Sequence, residues 1–182
     1  MITGYSTDLP DDILLDTGVL FVGSTPVGAS RGGLSFEPGR ETTNVEFDGK
    51  RSDIKGLDRV SRWNSMISGT FIEFDETDIA RLEPGSTSAA VGGVTTITPK
   101  VAGTLFASGD YLTNVRLVYQ RGNGAYAAVL FASAFAKKWG PMRGQDKGEA
   151  EIPVELHARL VVAANGDVPK CPYVVELRDA LP

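Results

Sequence analysis

The chain has 182 residues, 42% of them apolar and 23% charged, a composition that excludes wholesale disorder and a fibrous repeat and fits one ordinary domain. Eighteen basic against 23 acidic residues give a net charge of −5, the wrong sign for a protein that grips nucleic acid through its phosphates. With one histidine and one cysteine, Cys171, neither a His-based metal site nor an internal disulfide can be built within one chain.

Residues 1–16 are expected to form a flexible N-terminal arm ahead of a single β domain over 17–182. The start, MITGYSTDLPDD, lacks the basic opening and apolar stretch of a secretion signal, and no apolar run reaches the roughly 18–20 residues that span a bilayer. The chain is therefore expected to stay in the cytoplasm where it is made, without membrane insertion. Asp8, Asp11, Asp12 and Asp16 crowd this arm but lack the Asp-x-Asp-x-Asp-Gly spacing of a calcium loop. They read as a solvated acidic segment, and no metal or other cofactor is expected.

Short runs rich in Val, Ile, Thr, Phe and Tyr lie between 21 glycines and 10 prolines, which predicts many strands and turns. Thr17 to Val22 reads as a strand, Gly23-Ser24-Thr25-Pro26 as a turn, and Val27 as the start of the return. Gly28-Ala29-Ser30-Arg31-Gly32-Gly33 offers glycines and an arginine to an anion. No helix pattern follows to supply a positive dipole end, so it reads as a turn or bulge. Arg40 to Asp48 alternates, with Glu41, Thr43, Val45 and Phe47 predicted on the half-buried face. Asp48 to Arg62 is the most charged stretch and reads as a long exposed loop or hairpin tip. Its apolar residues Ile54 and Leu57, set among charges of both signs, suit it to dock on a complementary surface.

Trp63 to Phe74 predicts one or two strands. Asp75 to Glu83 is the best helix candidate: acidic residues open it, Ile79 and Leu82 lie three apart, and Pro84-Gly85 closes it. Gly92 to Thr98 returns to strand. Tyr111 to Gln120 alternates, with Tyr111, Thr113, Val115, Leu117 and Tyr119 predicted inside, and Asn123-Gly124 marks a hairpin. Ala125 to Trp139 balances alanine-rich helix chemistry against a both-sided apolar strand, and the preceding hairpin favours strand. From Glu149 to Ala163 a period of two puts Ile152, Val154, Leu156, Ala158, Leu160 and Val162 on one face, and Glu149, Glu151, Glu155, His157 and Arg159 on the other. Tyr173, Val175 and Leu177 form a last alternating strand. Eight to ten strands and one short flanking helix predict a mainly β fold, a β-sandwich or partly closed barrel with a long protruding loop.

No phosphate-binding loop, nucleophile elbow, dinucleotide fingerprint or zinc spacing is present. His157 reads as a solvated cross-strand partner, and Cys171 between Lys170 and Pro172 has thin support as a nucleophile. Trp63 and Trp139 read as core or interface anchors and not as a sugar platform. No enzymatic activity is expected.

Three segments carry a resemblance: LLDTGVLFVGSTPVGASRGGLSFEPG, then NVEFDGKRSDIKGLDRVSRWNSMISGTFIEF, and late in the chain DYLTNVRLVYQRGNGAYAAVLFASAF with PYVVEL. Together they resemble the major tail proteins that build the tail tube of long-tailed bacteriophages, over nearly the whole chain. The resemblance implies a structural virion protein with a β-sandwich and a flanking helix. Six copies close into a homohexameric ring by sheet extension, and rings stack head to tail into a hollow conduit for genome delivery. It implies a non-contractile or a contractile tail, with the non-contractile form favoured, assembly in the host cytoplasm and residence in the virion tail. The implied partners are the chain itself, a tape-measure protein in the lumen, terminator and baseplate proteins at the tube ends, and double-stranded DNA in transient passage.

The loop that reaches the neighbouring ring in such proteins corresponds here to Asp48–Arg62, with Lys50, Arg51, Asp53, Ile54, Lys55, Leu57, Asp58 and Arg59 as contact candidates. The carboxylates of Glu149, Glu151 and Glu155 are the candidate lumen face, where negative charge repels passing DNA. Residues 1–91 carry 8 basic and 15 acidic side chains and residues 92–182 carry 10 and 8, so complementary ends are available for stacking. The competing readings are a terminator or baseplate ring of the same fold, which forms one ring and stops, and a monomeric carbohydrate-binding β-sandwich.

Overall fold

In the computed structural model the described residues are 18–50, 52–73, 75–145, 148–162 and 171–178. They form β1 (Val19–Val22), β2 (Thr25–Pro26), β3 (Ser30–Glu37), β4 (Arg40–Asn44), β5 (Asp58–Trp63), β6 (Met66–Phe71), α1 (Glu76–Leu82), β7 (Thr87–Val91), β8 (Val94–Thr98), β9 (Leu112–Gln120), β10 (Tyr126–Trp139), β11 (Arg143–Gln145), β12 (Gly148–Arg159) and β13 (Tyr173–Arg178). The fold is mainly β with one short helix.

One antiparallel sheet runs in the order β2-β1-β9-β10-β12-β6-β3. Its spine is the fourteen-residue β10. One edge of β10 carries β9. The other carries β13 beside Tyr126–Phe131 and β12 beside Ser133–Trp139, so β12 and β13 share a lane. Two further hairpins, β4–β5 and β7–β8, are separate two-stranded sheets.

The ends of the sheet path, β2 and β3, are neighbours in the chain, joined by Val27-Gly28-Ala29 alone. Laid flat, seven lanes at about 4.8 Å would put them roughly 29 Å apart, but the link spans at most about 14 Å. The sheet therefore has to coil. No ladder closes it, because β2 pairs only with β1 and β3 only with β6 among the described residues. The result is a coiled, sandwich-like sheet that is not a closed barrel. The Tyr119 hydroxyl donates to the Leu34 carbonyl at 2.6 Å, tying β9 to β3 across the interior.

Coiling turns one face inward. Leu20, Ile67, Phe71, Leu117, Phe131 and Leu156 are all buried there. Phe36 meets the Phe131 ring edge-on at 6.0 Å and Tyr173 at 4.9 Å, and Trp63 stacks edge-on against Tyr173 at 5.6 Å. α1 begins where the Asp75 carboxylate accepts from the Asp78 amide at 2.7 Å. At seven residues it is too short to hold itself, and the buried Leu82 pins it to the core. Trp139 donates from Nε1 to Glu83 at 2.6 Å just beyond it.

The structure corrects several expectations. The predicted inward face of 40–48 is not inward: β4 stops at Asn44, and Asn44 is its one buried residue. Asp58–Arg62 lies in β5, so the loop proper is 45–57. The alternation of 111–120 changes phase, burying Leu112 as well as Val115 and Leu117, because Asn114 takes a left-handed φ of 56° that rotates the strand by one face. β12 ends at Arg159, leaving Leu160 and Val162 exposed. The segment 28–33 does hold the expected bulge, between Arg31 and Leu34, but inside β3, which begins at Ser30 after the Gly28-Ala29 link.

The link between β2 and β3 is held by Val27 N donating to Leu20 O and Ile72 N donating to Ala29 O. Between those anchors, a Cβ on Gly28 would lie 2.0 Å from the Glu73 carbonyl oxygen. Gly32 also has a left-handed φ, 76°, but open space around it. Gly28→Ala should therefore cost about 3 kcal/mol of unfolding free energy, against about 1–2 kcal/mol for Gly32→Ala. Denaturant melts check this, and equal losses would contradict the close approach at the link.

Candidate interaction arm

β4 and β5 project as a hairpin whose tip, 45–57, is folded. The Asn44 side chain organises it: Nδ2 donates to the Ile54 carbonyl and to Asp58 Oδ1, both at 2.9 Å, and Oδ1 accepts from the Ile54 amide at 3.4 Å. Val45 N donates to Leu57 O at 3.0 Å, and two turns close at Lys50–Phe47 and Leu57–Ile54. Gly49 and Gly56, with φ of 88° and 94°, accompany those turns. The Lys50 stem is only 7% exposed, and its ammonium lies 3.0 Å from Asp53 and 3.9 Å from Glu46.

The backbone of the tip and the side chains of Asn44 and Asp58 are thus engaged within it. What the arm offers outward is a mixed surface: Phe47 is 54% exposed and Ile54 42%, with Val45 and Val60 similar, and they stand among the exposed charges of Glu46, Asp48, Asp53 and Lys55. Of the sequence-derived contact candidates, Lys50, Asp53 and Asp58 are tied into the tip. Ile54 and Lys55 are exposed at the tip, Arg59 is exposed on β5, Leu57 is half-buried, and Arg51 lies outside the described residues. Val45, Phe47 and Val60 are exposed apolar residues that sequence reasoning did not place on the arm's surface. A period of two placed Val45 and Phe47 on a buried face, and the signal against it was Asp48-Gly49, which ends any strand before that face finds a partner.

The candidate lumen carboxylates share one strand but are not bare. Arg31, from the bulge of β3, reaches Glu149 at 2.5 Å and Glu151 at 3.2 Å, and Lys138 lies 3.3 Å from Glu155. A backbone hydrogen bond at Glu149 itself and the Arg31 guanidinium hold the Glu149 carboxyl below its usual range. Exposed pairs of this kind contribute little stability, but they compensate charge along the strand.

His157 is corrected from a solvated residue to a buried one, 5% exposed. Its Nδ1 lies 3.3 Å from the Asn64 side-chain oxygen while Nε2 has no hydrogen-bond partner. Burial first, then Lys137 and Arg159, lowers its pKa. The fold therefore favours the neutral ring, and its stability declines as pH falls below the unfolded histidine value near 6.5, where the unfolded chain takes up the proton first. Cys171 is half-buried beside the start of β13. Among the described residues no cluster of three or more His, Cys, Asp or Glu is placed to hold a metal ion. The four aspartates of the N-terminal segment lie outside the described residues.

A second projection was legible only in its return strand, 92–98. β7–β8 belongs to a stretch, 86–99, without one charged residue, and Val91 and Val94 at its tip are well exposed. Thr95 bonds Glu76 at 2.7 Å, laying the hairpin along α1. Compared with known protein families and with curated proteins, the chain matches none.

If Asn44 organises the tip, Asn44→Ala removes three hydrogen bonds from the arm and none from the core. Amide exchange over 45–57 should accelerate at least about tenfold, with the melting temperature of the coiled sheet little changed. Unchanged exchange at the tip would contradict this role.

Proposed function

We propose that this chain is a structural subunit that assembles with copies of itself, and specifically the major subunit of a phage tail tube, with six copies to a ring and rings stacked into a hollow conduit for the genome. The observation that carries this reading is the arm. A hairpin tip folded around the Asn44 side chain, with apolar side chains facing water among exposed charges, is shaped to be covered by another surface, and its charges keep it soluble until it is.

A projection that docks on a different patch of the next copy makes a heterologous contact, the kind that closes into rings or continues as a filament. Individually weak contacts suffice: six made together lose little further rotational freedom, so millimolar pairs, about 4 kcal/mol each, hold a stack. In this reading the arm crosses from ring to ring, and the Glu149, Glu151 and Glu155 strand faces the lumen. Its ion pairs with Arg31 and Lys138 then make that wall close to neutral, while the net charge of −5 keeps passing DNA from being retained. A tape-measure protein fills the lumen before ejection, and terminator and baseplate proteins cap the ends. The protein acts in the virion tail.

Light scattering of the full chain over a concentration series tests the reading. The native protein should associate with rising concentration. Phe47→Asp combined with Ile54→Asp should raise the concentration required by roughly 10- to 100-fold, with circular dichroism unchanged because both side chains are exposed. Association unaffected by the double variant would contradict the role given to the arm.

A further inference from the structure

A groove of about 610 Å3 lies where β9, β10 and β12 meet, walled by Tyr111, Thr113, Arg159 and the run Leu160-Val161-Val162. Those three apolar residues are 44–60% exposed in succession. In the same wall the Arg159 guanidinium stands 5.4 Å over the Phe135 ring and donates to the Ala158 carbonyl at 3.0 Å. It has no carboxylate partner among the described residues. An apolar wall carrying a cation with no carboxylate partner among the described residues suits an apolar segment that bears a carboxylate.

The chain contains such a segment. Residues 1–17 hold four aspartates and no Lys or Arg, and within them Ile13-Leu14-Leu15 runs between Asp12 and Asp16. We propose that the groove takes the Ile13–Asp16 segment of a second copy, with the leucines against Leu160–Val162 and Asp16 paired to Arg159. This rests on the self-assembly reading and gives it a second contact, separate from the arm.

Reach decides between the chain's own segment and that of another copy. Gly18 packs against the Tyr119 ring, and β1 leaves from there with Val19 opposite Val118. The groove lies at Thr113, six strand residues away, about 20 Å. Leu14 is four residues from Gly18 and Leu15 three, so they extend at most about 14 and 11 Å. The chain's own leucines fall short. Donor and acceptor sit toward opposite ends of β9, so the contact is heterologous and repeats from copy to copy.

Two full-length proteins, both with Cys171→Ser, test this: one carrying Leu14→Cys, the other Val161→Cys. Mixed under mild oxidation, they should form a disulfide-linked heterodimer at least about tenfold faster than a control pair of Leu14→Cys with Val94→Cys. Asp16→Arg on the donor should slow the cross-link about tenfold, and Arg159→Asp on the acceptor should restore it. A heterodimer no faster than the control, or a loss that the charge swap does not restore, overturns the proposal. So does a Leu14→Cys/Val161→Cys double variant that closes on itself as a monomer. Scattering on the same samples separates the two readings: association without the cross-link overturns this contact and leaves self-assembly standing, whereas no association of any kind overturns both.

Discussion

The three-residue link from β2 to β3 governs this molecule. Because Val27-Gly28-Ala29 cannot bridge a flat seven-lane sheet, the sheet coils until its ends meet, and the coil makes the core: Phe131, Leu117, Phe71 and Leu156 face one another only once the lanes curve. The seam is held by anchors and not by a ladder. The amide of Val27 fixes one side, the carbonyl of Ala29 the other, and the Tyr119 hydroxyl reaches across to Leu34. Gly28 lies between them, in contact with the backbone at Glu73, where a side chain has no room.

A coil that is not closed keeps its edges. Among the described residues β13 pairs with β10 alone, and Val174, Val175 and Leu177 are exposed along it. The chain not needed for the coil is sent outward as two hairpins of opposite character, one dense in charge with exposed apolar side chains at its tip and one without charge. An isolated two-stranded hairpin is marginal in water. Each has an internal support: Asn44 gathers the tip of β4–β5, and Thr95 fastens β7–β8 to Glu76 on α1. Both projections are therefore presented in defined shapes, which lowers the ordering cost of any contact they make.

Much of the fold was legible because long strands keep strict periods. Ile152, Val154 and Leu156 alternate without error, and the capping chemistry of Asp75 places α1 to within a residue. Ala125–Trp139 was a balance between helix and strand, decided by the Asn123-Gly124 turn. The failures share one cause: periodicity assumes an unbroken strand and a partner for its apolar face. Asn114 breaks the first assumption with a left-handed backbone. Val45 and Phe47 break the second, because past Asn44 no strand pairs with them and their face meets water. His157 was misplaced because its sequence neighbours Glu155 and Arg159 are charged, while Asn64, which receives it, comes from a turn 93 residues away. The charged candidates in 48–62 gave no sign in sequence of their internal bonds: Asn44 gathers Asp58, and Lys50 lies beside Asp53, while Asp53, Lys55 and Arg59 also stay exposed.

Electron microscopy of the full-length protein at high concentration tests the central claim most directly. The account predicts six-fold rings stacked into a continuous tube, with the β4–β5 arm of each subunit in contact with the ring beside it. Monomers at every concentration, or an assembly in which the arm tip with Phe47 and Ile54 stands free in solvent, would contradict it.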